Sequence, residues 1–252
     1  MREKYFNINK PVGSIRCKAY LSDPRSVSRV IVYGHGFSGH RDNKAAQRFA
    51  DYVLKKHRDV AVITFDLPCH GDDVKKKLSL TDCDGYIGAV AEYAKAQYGT
   101  DDVSVYATSF GGYLILKYIY EHGNPFRKIA LRCPAVNMYK VLSDTIMEPD
   151  ELKALSRNKP IEVGFDRKIK ITKAFLDELK NADIGGLDYR DAADDILIVH
   201  GTRDEVVSFD YVREFAEKND IKFVSVENAD HRFKAPTKMD EAIKSIYEFI
   251  FE

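Results

Sequence analysis

No stretch of this 252-residue sequence approaches the roughly 18 consecutive apolar residues that a bilayer span requires. Neither sign of charge is in excess. Lys+Arg and Asp+Glu each number 39, so no net charge draws the chain toward nucleic acid or an anionic membrane surface. Cysteine is scarce, with four scattered residues (Cys17, Cys69, Cys83, Cys133) and no CxxC pair. That spacing suggests neither a zinc site nor a dithiol redox motif and reads as reduced thiols in a cytoplasmic protein. The opening residues, MREKYFNINK, lack the apolar core of a signal peptide, which fits the same location. There is no G-x-G-x-x-G and no P-loop, so nucleotide chemistry has little support. "TDCDG" resembles part of a calcium loop, but counting from Gly85 puts Leu80 and Ala91 at the first and twelfth ligand positions, and that reading fails.

What the chain does have is enough apolar material, 44% of residues, to build a sizeable core. Ile15, Cys17, Ala19 and Leu21 alternate with polar neighbours, which predicts a half-buried strand in a hairpin with Tyr5–Ile8. "RVIVYG", "VAVITF", "VSVYAT", "KIALRC" and "DILIVHG" are continuous apolar runs of the kind buried on both faces of a parallel sheet. Segments of helical period separate them. One has Thr81 as its expected cap, with Tyr86, Ile87, Val90, Tyr93, Ala94 and Tyr98 on an apolar face. "IKFVSVE" and a helix over Met239–Phe251 close the chain. Strands alternating with helices predict an α/β protein with a mostly parallel, twisted sheet and helices on both faces. Residues 137–190 break the rhythm. They read as an ordered insertion leaving the C-terminal end of a strand, the end at which open α/β sheets bind ligands.

"VYATSFGGYLI" places Ser109 where a strand gives way to a helix, with Gly111 and Gly112 immediately beyond. A serine nucleophile needs a protruding hydroxyl, a base and amides for the oxyanion. A tight strand-to-helix turn supplies the first and, through the Phe110 N–H, part of the last. Crowding at such a turn calls for small residues two before and two after the serine, as in G-x-S-x-G. Here Ala107 takes the first place and leaves slightly less room. The plainer reading is a helix N-cap with glycines for close packing.

The downstream sequence favours chemistry. Asp204 follows the "DILIVHG" strand and His231 lies in the loop after "FVSVE". Ser, Asp and His thus fall at the ends of three strands in the chain order of an α/β-hydrolase triad. His231 would take the serine proton, and Asp204 would fix its tautomer. Asp230, adjacent to His231, is badly placed to reach its ring, and Glu205 is the other competitor for the acid role.

On "GHGF", "FDLPCHG", "ATSFGG", and "HGTRDEVV" followed by "ADH", the chain resembles the α/β-hydrolase superfamily over nearly its whole length. "GHGFSGHRDN", the insertion and "HGTRDEVVS" are similar to small bacterial esterases that include feruloyl (cinnamoyl) esterases. The resemblance implies an α/β-hydrolase core over 1–136 and 191–252, with 137–190 as a small cap over the site. It implies a second oxyanion amide at Phe37, and a pocket shaped by the cap, for which Met138, Phe165 and Ile169 are apolar candidates.

The remaining histidines have blander readings. His35 shapes the oxyanion loop, His40 lies on a surface loop from which it could line the pocket, and His200 packs at a strand end. His57 and His122 lie near helix ends, and His70 lacks the further ligands a metal would need. Asp66 and Pro68 fix a turn, and "KKK" at 75–77 is a solvated loop. The expectation is a serine esterase without metal or cofactor, acting on a small-molecule ester of medium acyl or hydroxycinnamoyl type, with a homodimer left open. A peptidase, a thioesterase or a lipid hydrolase could use the same three residues. A non-catalytic binding module would have no need of them together.

Overall fold

The computed structural model describes residues 1–73, 75, 77–164 and 167–252. The chain opens with an antiparallel hairpin of β1 (Arg2–Lys10) and β2 (Gly13–Leu21), in which Ile8 faces Ile15 and Phe6 faces Cys17. There follow β3 (Arg29–Gly34), α1 (Lys44–Leu54), β4 (Val60–Phe65), α2 (Leu80–Tyr98), β5 (Val103–Thr108), α3 (Phe110–His122) and β6 (Ile129–Arg132). The next segment carries α4 (Met138–Lys140), a π-helical turn (Val141–Ile146) and α5 (Pro149–Ser156). It continues with a short hairpin of β7 (Ile161–Val163) and β8 (Ile169–Ile171), then α6 (Lys173–Asn181). The alternation resumes with β9 (Ile196–Gly201), α7 (Phe209–Lys218), β10 (Lys222–Val226) and α8 (Pro236–Phe251).

Among the described residues, eight strands form one sheet in the order β1-β2-β4-β3-β5-β6-β9-β10. β2 runs antiparallel to β1 and β4, and every other pair is parallel. This is an α/β fold with a mostly parallel sheet. The continuous apolar strands have a direct cause, since each face has its own helix layer. In β3, Val30 and Val32 enter one core with residues of α2, α3, α6 and α7, while Ile31 and Tyr33 enter another with α1 and α8. Burying each such side chain stabilises the fold by about 1.5–3 kcal/mol. Among the described residues, no helix is long and apolar enough to cross a membrane.

Two local expectations need correction. β2 is not half-buried, because Lys18 and Tyr20, on its second face, are buried as well. β2 is an internal strand, and that face lies under α1, where Tyr20 joins Phe49 and Val53. Lys18 keeps its charge there through Glu3 at 3.0 Å and Asp42 at 3.1 Å. The cap of α2 is Ser79, not Thr81. Its hydroxyl accepts the Asp82 N–H at 3.2 Å, while Glu178 of α6 accepts the Leu80 N–H at 2.8 Å. That second partner comes from 98 residues away and leaves no trace in the local capping pattern.

Candidate active site

Ser109 sits between β5 and α3 with φ 51° and ψ −117°, a strained conformation for a residue with a side chain. Backbone bonds hold it on both sides. Its N–H donates to the Arg132 carbonyl at 3.0 Å, and its own carbonyl accepts the N–H groups of Tyr113 and Ala135, each at 3.1 Å. Its side chain makes no capping bond to the helix, so the N-cap reading does not hold.

The glycines make room. A Cβ on Gly111 would lie 2.6 Å from the His35 carbonyl oxygen, and one on Gly112 would lie 2.9 Å from the Pro134 Cβ. Ala107 is accommodated from across the sheet. Its partner in β3 is Gly34, where a Cβ would come within 3.1 Å of the Ala107 Cβ. The room missing from the elbow is supplied by the neighbouring strand.

Three distant residues converge here. The Ser109 Oγ is 3.1 Å from His231 Nε2, and His231 Nδ1 is 2.8 Å from Asp204 Oδ2. With the proton on Nδ1, His231 donates to the carboxylate and Nε2 is free to accept from the serine. The His231 side chain is 10% exposed and that of Asp204 is 0% exposed. Burial opposes the Asp204 charge. Hydrogen bonds from the His200 and His231 rings and from the Val207 N–H outweigh it and hold the carboxyl well below the usual carboxylate range. Asp204 Oδ1 accepts the Val206 and Val207 N–H groups at 2.9 and 2.7 Å, so both of its oxygens are occupied. Glu205 does not meet the imidazole. It accepts the backbone N–H of His231 at 3.1 Å and so anchors the loop. Asp230 turns away and accepts the Lys234 N–H.

His200 is more than packing. Its Nε2 is 3.2 Å from Asp204 Oδ2 and 3.1 Å from the Val207 carbonyl, which makes Nε2 the protonated nitrogen. A histidine four residues before a buried acid, across a strand end, is the signal that could have found it. Cys133, His200 and Asp204 have ligand-type atoms within 4.8 Å of one another. They make a poor metal set, since burial pushes the Cys133 thiol far above its ordinary value and Asp204 is already bonded.

Phe110 is the first residue of α3, where a backbone N–H has no intrahelical acceptor. Phe37 borders the same cavity as Ser109, and its ring meets that of Phe110 edge-on at 5.9 Å. His35 braces the loop that carries Phe37. Its Nδ1 donates to the Gly36 carbonyl at 2.8 Å, and its Nε2 accepts the Leu67 N–H at 3.1 Å. Asp66 ties the turn beyond β4 by accepting the backbone N–H groups of Arg41 and Asp72 at 2.7 and 2.9 Å, together with the Arg41 guanidinium. Gly71, at φ 57°, lies against that carboxylate, where a Cβ would overlap the Asp66 Cγ at 2.2 Å.

The cavity over Ser109 and His231 has a volume of about 650 Å³. Met138, Val141 and Ile146 of the 137–190 segment border it. Ile169 does not. It pairs with Val163 across the β7–β8 hairpin, and its side chain is 2% exposed within the main core. Phe165 and Lys76 lie outside the described residues.

A strained serine between a parallel strand and a helix, facing a histidine and a buried aspartate from later strand ends, defines an α/β-hydrolase. More narrowly, residues 70–252 match the prolyl oligopeptidase family of peptidases, and the chain belongs to that family. No curated protein matches its sequence. Among solved structures it is similar to Est1E from Butyrivibrio proteoclasticus with ferulic acid bound, at 21% identity over 98% of each chain and a TM-score of 0.71. It is similar to a soluble variant of monoglyceride lipase from Saccharomyces cerevisiae, at 14% identity over 100% of this chain and 95% of the other, TM-score 0.74. It also resembles XC6422 from Xanthomonas campestris, an α/β serine hydrolase without a lid, at 17% identity over 99% and 94%, TM-score 0.67.

Proposed function

We propose that the protein is a serine hydrolase of carboxylic esters that works through an acyl-enzyme on Ser109. The observation that carries this is the chain of contacts from Ser109 Oγ through His231 to Asp204, at 3.1 and 2.8 Å, on a strained elbow. As Oγ bonds to the ester carbonyl carbon, its proton passes to His231 Nε2. The carbonyl oxygen becomes an oxyanion facing the Phe110 and Phe37 amides. Collapse expels the alcohol, which takes the proton from His231. Water then enters, gives its proton to His231 and releases the acid, restoring the serine. Asp204, charged throughout, stabilises each transient imidazolium. Residues 137–190 act as a cap whose Met138, Val141 and Ile146 meet the acyl or aryl group. A hydroxycinnamoyl ester is the preferred example, supported by the sequence resemblance to feruloyl esterases and by the fold shared with Est1E.

The family match favours a second reading, a peptidase using the same three residues. Hydrolysis of p-nitrophenyl butyrate and of a proline p-nitroanilide, by the wild type and by folded Ser109→Ala, separates the two. Ester turnover lost in the variant supports the esterase, and anilide turnover alone supports the peptidase. A wild type inert on esters, thioesters and amides alike would leave a binding module.

A further inference from the structure

β6 ends in Arg132, whose side chain points into the layer covered by α1 and α8. There Phe233 lies 5.0 Å below its guanidinium carbon. Arg132 is 7% exposed, and it borders the cavity that holds Ser109 and His231. Its Nε and Nη1 make no close hydrogen bond, and the polar groups beside the guanidinium are the neutral hydroxyls of Tyr33 and Tyr106. Among the described residues, no carboxylate lies within ion-pair distance of it. Three other arginines show the contrast. Arg41 meets Asp66 and Asp72, Arg48 forks onto Asp240 at 3.0 and 2.8 Å, and Arg127 meets Asp102 at 2.8 Å.

A guanidinium does not give up its proton, so this buried group carries a full charge with no counter-charge beside it. Proteins rarely keep such a charge without a use for it. Five basic residues (Lys44, Arg48, Arg132, Arg232, Lys234) and one acidic residue, Asp42, border the cavity, with Arg48 paired to Asp240 and Lys234 3.6 Å from Asp230. The lining itself is thus more basic than the evenly balanced chain, 39 against 39. The first residues of α1 border the same space, which brings the positive end of that helix dipole to it.

We propose that the cavity selects esters that bear a carboxylate of their own, seated on Arg132 while Ser109 attacks the ester carbonyl. A carboxylate matches a guanidinium in charge and hydrogen-bonding geometry, and a neutral chain would leave the charge unanswered. The proposal rests on the ester-hydrolase reading. The carboxylate could belong to the acyl or to the alcohol limb, and two probe pairs distinguish them: mono-p-nitrophenyl adipate against p-nitrophenyl hexanoate, and 4-carboxyphenyl butyrate against phenyl butyrate.

In the wild type, kcat/KM for the anionic member of one pair should exceed that of its neutral partner by about ten- to a hundredfold, mainly through KM. The ratio within each protein is the readout. It should collapse toward one in Arg132→Met and survive in part in Arg132→Lys, which also serves if the methionine variant does not fold. A ratio near or below one in both wild-type pairs, or an unchanged ratio in the variants, overturns the proposal. Adipate binding to Ser109→Ala, measured by calorimetry beside 1,6-hexanediol, needs no turnover. Binding of adipate that Arg132→Met abolishes, in a protein that hydrolyses no ester, keeps the anion site and sinks the esterase. Ester turnover without adipate binding or an anionic preference does the reverse, and Arg132 is then a guanidinium solvated within the core.

Discussion

His200 Nε2 stands 3.2 Å from Asp204 Oδ2, the oxygen that His231 Nδ1 approaches at 2.8 Å. One buried carboxylate oxygen therefore serves two imidazoles, and the second steadies the acid for the first. His200→Leu removes a donor from a buried charge and should lower unfolding free energy by about 1.5–3 kcal/mol. Because Asp204 then holds His231 less firmly, kcat should fall while KM stays near the wild-type value. Denaturant titration and ester kinetics on the same preparation check both parts, and a wild-type midpoint would show that the contact carries no net stability.

The competing acid is distinguished by substitution. Asp204→Asn keeps the shape but loses the charge and the acceptor that fix the His231 tautomer, and kcat should drop by about 10⁴-fold. Glu205→Gln keeps an acceptor for the His231 backbone N–H and should change kcat by less than about tenfold on the same argument. The reverse order of effects would move the acid to Glu205.

Strain at the elbow makes its own prediction. Ser109→Gly abolishes turnover and also releases the φ of 51°, so the inactive protein should be more stable than the wild type by about 1–3 kcal/mol. Equal or lower stability in a thermal melt would mean that the turn holds no stored strain.

The Gly34–Ala107 pair should behave as a unit. Gly34→Ala forces two Cβ atoms to 3.1 Å and should destabilise the fold by about 1–3 kcal/mol, while Ala107→Gly beside it restores the space. A double-mutant cycle in denaturant should show a coupling of at least about 0.5 kcal/mol. Strict additivity would count against the contact.

Acid should weaken the fold through two buried histidines. Burial pushes His35 down to about 4, and burial together with the nearby His35 pushes His70 down to about 3. Unfolded, both titrate near pH 6.5. Below that pH the unfolded chain binds protons that the folded chain refuses, so their contribution is whole above about pH 6.5 and drains away as pH falls toward 4 and 3. Each histidine adds a slope of up to about 1.4 kcal/mol per pH unit. In a pH series of denaturant midpoints, His70→Leu should flatten the acid limb, and an unchanged limb would mean that His70 is not responsible.

Much of this was legible in the chain because local chemistry writes it there. The continuous runs at β3, β4, β5 and β9 announce strands covered twice, and the helix expected over Met239–Phe251 falls within α8. Ser109, Asp204 and His231 stand out because each follows a strand in the required order. Ile169 departs from its expected place in the pocket wall because the register of a three-residue hairpin, and so the face each residue presents, is set by pairing and not by its few letters. His200, expected only to pack, and Arg132, which the sequence does not single out, escape a local reading for a related reason. A histidine or arginine at a strand end looks the same in sequence whether it meets solvent, an acid or nothing.

By itself the sequence determined the α/β alternation, the serine elbow and the order of its partners, because periodicity and steric need act over a few neighbouring residues. Only the tertiary structure decided that Gly34 makes room for Ala107, that His200 shares the carboxylate of Asp204, and that Arg132 stands buried without a counter-charge. These are facts about distance between segments remote in the chain. Burial, pairing and unpaired charge are properties of a surrounding, and the surrounding exists only once the sheet has brought its strand ends together.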